Sequence, residues 1–148
     1  MLRYAVLLVL VFLQISMAWA DLRLDSLLSM GARAKNSQMI ELALTQGADV
    51  NTTDEIGRPP LIWASFHGHC PLIGLLLERG AAVEARDTMG STGLMWAALA
   101  GRVGAADLLL DEGANAQALD DKGVSAAEWA SQEGQLALSD VLRVSGAK

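Results

Sequence analysis

The sequence predicts an all-α solenoid of four helix-turn-helix units joined by β-turns, and three observations predict it. Landmarks recur at a step of 33 residues: Asp21, Asp54, Asp87 and Asp120; Gly57, Gly90 and Gly123; Gly68, Gly101 and Gly134; and Gly47-Ala48, Gly80-Ala81, Gly113-Ala114 and Gly146-Ala147. Within each period, start and stop signals bracket two short apolar segments of helical character. Each helix pair is too short to bury a core alone, so neighbouring units must stack.

The chain opens MLRYAVLLVLVFLQISMAWA, with basic Arg3, an apolar run from Tyr4 to Leu13 and small residues ending in Ala18-Trp19-Ala20. These are the three parts of a secretory signal peptide. Residues 1–20 are therefore set apart from the fold, with cleavage expected after Ala20 and a periplasmic or secreted destination. The alternatives are an uncleaved membrane anchor, which so short a run serves poorly because a bilayer needs roughly 20 apolar residues, and a cytosolic chain with an apolar start. No Cys follows the small residues, so a lipoprotein signal is not supported. Exported compartments permit disulfides, yet Cys70 is the only cysteine, so packing alone must hold the fold.

At 148 residues there is room for one ordinary domain, and 52% hydrophobic against 19% charged residues excludes disorder. The formal net charge is −6, and loss of the leader removes Arg3 but no acid, leaving 10 bases against 17 acids, or −7. That balance argues against nucleic acid or an anionic membrane surface as the partner. A membrane enters only if the leader stays, and the chain is expected to be monomeric.

The units run 21–53, 54–86, 87–119 and 120–148. Each opens on Asp-x-x-Gly, as in Asp54-Glu55-Ile56-Gly57 and Asp87-Thr88-Met89-Gly90, the composition of a tight turn with glycine where positive φ is needed. A capping hydroxyl follows at Ser26, Thr92 and Ser125, and Pro59-Pro60 stands there in the second unit, where a first helical turn needs no N–H. The first helix runs through Leu61-Ile62-Trp63-Ala64-Ser65 or Leu94-Met95-Trp96-Ala97-Ala98 to Gly68 or Gly101. The second carries Leu72, Ile73 and Leu75 to Leu77, or Val103 and Leu108 to Leu110, and stops at Gly80 or Gly113 as a C-terminal glycine cap does.

Gly68-His69, the run from Leu75 through Glu78-Arg79-Gly80-Ala81, and Gly47-Ala48-Asp49-Val50-Asn51 match a family pattern almost letter for letter. The chain resembles the ankyrin-repeat family, in its exported bacterial type, over 21–148. The resemblance implies stacked helix pairs, a concave protein-binding face and no catalytic activity. There are departures. The family's His after the Leu of its Thr-Pro-Leu-His turn is Ser29, Ile62, Met95 and Glu128 here, so its turn-stabilising hydrogen bonds should be absent or replaced. Leu24 and Lys35 stand where other units have Gly, and Arg143 interrupts the last apolar run, as end units that face water require.

Met30, Trp63, Trp96 and Trp129 hold one register position, usually a framework residue in the family. The expectation is a stacked core ladder of indoles, with Ala64, Ala97, Ala98 and Ala130 making room. The other reading is a partly exposed aromatic recognition strip.

Candidate catalytic groups are few. His67, His69 and Cys70 read superficially as a metal cluster, but Gly68-His69 belongs to the repeat and no further His or Cys exists to close a zinc site. Asp49 to Asp54 lacks the Gly and Glu of a calcium loop. No glycine loop cradles phosphate and no Ser or Cys has a His partner fixed by sequence. No enzyme activity, cofactor or resident metal is expected. A small-ligand or metal carrier using His67, His69 and Cys70, or a membrane-tethered scaffold, is the alternative to a binding module. Asn51-Thr52-Thr53 is a glycosylation sequon that matters only in a eukaryotic secreted protein.

The resemblance places variable contact positions at Glu55, Ile56, Arg58, Phe66 and His67; at Thr88, Met89, Ser91, Leu99 and Ala100; and at Asp121, Lys122, Val124, Gln132 and Glu133. Ile56, Phe66, Met89 and Leu99 are apolar there, rimmed by Arg58 and His67, as protein interfaces are composed. Arg58 and Phe66 are the expected hot spots.

Overall fold

A computed structural model describes residues 24–146. The leader, Asp21 and Ala147 lie outside the described residues. Within them the chain forms eight helices: α1 (24–33), α2 (Ser37–Thr45), α3 (Pro60–His67), α4 (Cys70–Glu78), α5 (Gly93–Leu99), α6 (Val103–Asp111), α7 (Ala126–Gln132) and α8 (Leu136–Ser145). Among the described residues β pairing is limited to two isolated bridges, Arg86 with Thr92 and Leu119 with Ser125. None of the described helices is long and apolar enough to cross a membrane.

The helices form two rows. In the inner row α3 packs on α5 and α5 on α7; each also packs on the second helix of its own pair, and α4 on α6 joins the outer row. Leu61, Leu94, Ile73, Leu76, Leu109 and Leu142 fill the space between rows, while Ala64, Ala97, Ala98 and Ala130, all fully buried, let inner helices approach. Arg143 fits the last apolar run because its side chain leaves the core and reaches Asp140 at 3.9 Å.

The turns follow one scheme. In Asp54, Asp87 and Asp120 the backbone carbonyl accepts from the glycine three residues on, closing the turn at 2.9, 3.0 and 2.9 Å. The Oδ1 atom of each accepts from the N–H groups two and four residues later, at 2.9 to 3.0 Å. Thr92 and Ser125 then cap α5 and α7. The missing family His is replaced in kind: Glu128 Oε2 accepts from the N–H and hydroxyl of Ser125 at 2.8 Å, and Met95 Sδ accepts from Thr92 N–H at 3.4 Å.

The first unit differs from expectation. Backbone is already helical at 24, so Ser26 stands inside α1 and does not cap it. Lys35 occupies the register of Gly68 and must adopt its conformation, with φ 57°, the only non-glycine among the described residues in the left-handed region. At Gly68, with φ 70°, a Cβ would lie 2.9 Å from Arg102 Cδ, so glycine there avoids backbone strain and leaves room for the Arg102 side chain.

Candidate functional site

The inner helices carry the tryptophans, and their setting corrects the core expectation. Trp63, Trp96 and Trp129 are half-buried, and Trp63 and Trp129 pack against the alanine-lined core. Each indole N–H donates to Oδ2 of the aspartate that opens its own unit: Trp63 to Asp54 at 2.8 Å, Trp96 to Asp87 at 2.9 Å and Trp129 to Asp120 at 3.1 Å. One carboxylate therefore folds the turn with one oxygen and ties it to the inner helix with the other. An indole N–H taken partly out of water needs an acceptor, and the carboxylate supplies it. The sequence carried a signal for this link, since each Asp and Trp lie nine residues apart in three successive periods.

At Asp120 burial acts to raise the carboxyl pKa, but the N–H groups of Val124 and Lys122 and the Trp129 indole outweigh it and hold it below the ordinary value.

The rings meet in series, edge to face: Trp63 with Phe66 at 6.4 Å between centroids, Phe66 with Trp96 at 5.8 Å, and Trp96 with Trp129 at 5.4 Å. Arg58 is threaded between two indoles, its guanidinium carbon 4.9 Å from the Trp63 centroid and 4.1 Å from that of Trp96, with Nε 3.9 Å from Asp87 Oδ2. Its side chain is 19% exposed. Arg58 and Phe66 thus brace the ladder between the second and third units, so each of the two expected hot spots is engaged in contacts within the array.

Ser91 departs furthest from expectation. It is fully buried and its Oγ has no hydrogen-bond partner among the described residues. It holds the register place of Arg58 one unit on; with no guanidinium there, Trp96 and Trp129 touch directly. Ser91 is a core residue and not a contact position.

The exposed expectations gather at the turn tips. Glu55, Ile56, Thr88, Met89, Asp121 and Lys122 are exposed, Ile56 by 48% and Met89 by 40%. Adjacent tips are linked, Thr88 Oγ1 donating to Ile56 O at 3.2 Å and Asp121 N–H to Met89 O at 3.1 Å. Leu99, Ala100 and Val124 are half-buried, while Gln132 and Glu133 face solvent at the end of α7. Met30 is 58% exposed and opens a cleft bordered by Asp25, Arg33 and Asp54 where the aromatic ladder stops.

His67 stacks on Trp63 at 6.0 Å and donates from Nε2 to Arg33 O at 3.2 Å. Burial, then the nearby charges of Lys35, Arg102 and His69, lower its pKa against the opposing hydrogen bond to Arg33. His69 caps α4, Nδ1 accepting from Leu72 N–H at 3.3 Å, and Nε2 faces Ser37 Oγ at 3.4 Å. Both rings are thus engaged, and among the described residues no group of three or more His, Cys, Asp or Glu could hold a metal ion. Asn51 of the sequon is also engaged, reaching Ala82 N–H at 2.9 Å and Gly80 O at 3.3 Å in the next unit.

The model of the ankyrin-repeat family, three copies long, matches residues 28–120. With more than half of the chain matched, this protein belongs to the ankyrin-repeat family. No curated protein matches it. Ankyrin repeats generally act as protein–protein interaction modules and are typically non-catalytic.

Proposed function

We propose that this protein is an exported module, without catalysis of its own, that binds another protein through the concave side of its array. The observation that carries the reading is the pair Ile56 and Met89: apolar side chains at equivalent tips of consecutive units, 48% and 40% exposed, flanked by Glu55, Thr88, Asp121 and Lys122. An apolar centre inside a polar rim is the composition of a binding surface. Export rests on the leader read from residues 1–20, with cleavage after Ala20.

The test is capture from the source organism's extract on the full chain beside two variants. Ile56→Asp with Met89→Asp places charge on the tips, and Leu42→Asp places it on an exposed outer-row position. A protein retained by the wild type and the Leu42 variant, and lost by the tip variant at matched melting temperature, supports the concave reading. Loss with the Leu42 variant alone overturns it. The mass of the protein recovered from the organism, starting at Asp21 or at Met1, decides the leader.

A further inference from the structure

We infer that the rim where the inner helices α1, α3 and α5 end, marked by Arg33, Lys35 and Arg102 around His67, docks a carboxylate-rich segment of the partner protein. This rests on the proposed protein-binding function and names the chemistry of the segment bound.

Arg33 and Arg102 come together through contacts with one small cluster, and Lys35 lies near enough to act on its His67 ring. The Arg33 guanidinium lies 5.6 Å from the Trp63 ring on which His67 stacks, and Arg33 O accepts from the His67 ring. Arg102 crosses Gly68, the residue after His67, and its Nε donates to Phe66 O at 3.2 Å. Lys35 and Arg102 act electrostatically on the His67 ring together with His69, and no carboxylate is among the groups that do so.

All three cationic residues are exposed, and among the described residues none has an acidic partner within 4.0 Å. On a chain of formal charge −6, a group of cations without acidic partners among the described residues is a local exception. Cations near helix C-termini satisfy carbonyls and the helix dipole, and that accounts for the Arg102 bond to Phe66 O. It leaves the Arg33 and Lys35 side chains without any hydrogen bond among the described residues. Beside them lie the half-buried faces of Trp63 and Phe66, so carboxylates with intervening apolar side chains fit the surface. Arginine suits such a site because its planar fork matches carboxylate geometry.

The experiment titrates the full chain with a Glu/Leu peptide, with the same peptide carrying Gln for Glu, and with inorganic phosphate, following backbone amides and the two histidine rings by NMR. The expected result is saturable shifts at His67, Gly68 and Arg102 with the Glu peptide alone, an upward move of the His67 ring pKa, and weakening as salt rises. A variant with Arg33→Gln, Lys35→Gln and Arg102→Gln should lose about tenfold in affinity, each exposed pair contributing modestly. Lys35→Gln alone, which removes no hydrogen bond, should weaken binding in the same direction if the triple variant melts early.

Equal shifts with the Gln peptide, shifts centred elsewhere, no shift, or saturation by phosphate with the same amide pattern would each overturn the inference. Its failure is separable from that of the concave reading. A captured protein that ignores the triple variant but is lost with the tip variant sinks the acidic segment alone; loss with the Leu42 variant alone sinks the concave face.

Discussion

The guanidinium of Arg58 lies 4.1 Å from the centre of the Trp96 ring and 4.9 Å from that of Trp63, with its Nε 3.9 Å from the Asp87 carboxylate, so a charged turn residue of one unit is clamped by indoles of two. Flat, weakly hydrated guanidinium stacks well between aromatic faces, and an ammonium does so poorly. Arg58→Ala should cost about 1–2 kcal/mol in urea unfolding, from lost stacking more than from the long ion pair. Arg58→Lys should recover little of it. Full recovery by lysine would show that charge alone matters.

The link from Asp87 to Trp96 is the same kind of tie within one unit. Trp96→Ala should cost about 3 kcal/mol, at the lower end for a large aromatic because the ring is half-buried. Asp87→Asn should cost about 1.5–3 kcal/mol, the range for hydrogen bonds to a charged acceptor. The double variant should cost clearly less than the sum, since both remove one bond. Additive losses in a thermodynamic cycle would dissolve the link.

Two groups set successive steps of acid sensitivity, both felt as pH falls. The folded pKa of Asp120 is depressed, so its contribution is present above the ordinary carboxylate value of about 3.9 and is lost as pH falls through the folded value. The folded pKa of His67 is also lowered, and for a base the unfolded chain then takes the proton first. Stability should therefore start to fall as pH drops below about 6.5, and again below about 4. His67→Gln should flatten the first fall and Asp120→Asn the second in melting temperature measured against pH.

Lys35 holds φ 57° where the other units have glycine. A side chain in the left-handed region costs about 1 kcal/mol or more, and glycine returns part of that as backbone entropy in the unfolded chain. Lys35→Gly should raise stability by about 0.5–1 kcal/mol in the same unfolding assay. A loss of stability would mean that the Lys35 side chain makes stabilising contacts that outweigh the backbone strain.

Ser91 Oγ is buried without a partner among the described residues. Removing an unsatisfied hydroxyl spares its desolvation cost, so Ser91→Ala should leave stability unchanged or raise it by up to about 1 kcal/mol. A clear loss on calorimetry would point to a bound water satisfying the oxygen.

Period, turn and cap were legible in the residues because they are local: Asp54 and Gly57 make a turn within four residues, and Thr92 and Ser125 meet N–H groups three residues on. The half-burial of Trp63, Trp96 and Trp129 was not legible, although the nine-residue spacing from each Asp was in view. A register position states which helix face a residue shares, but not how deep that face lies once the next unit is stacked upon it.

Equivalent positions also parted company. Arg58, Ser91 and Val124 share one register place, and the sequence alone assigned all three to a binding surface. In the stack Arg58 fills the gap between two indoles, Ser91 is closed over where Trp96 and Trp129 meet, and Val124 is half-buried. By itself the sequence determined the repeat, its helix pairs and its family, since these follow from backbone preferences repeated every 33 residues. Only the tertiary structure decided which variable positions remain open to a partner, because that depends on the side chains that neighbouring units bring across the interface.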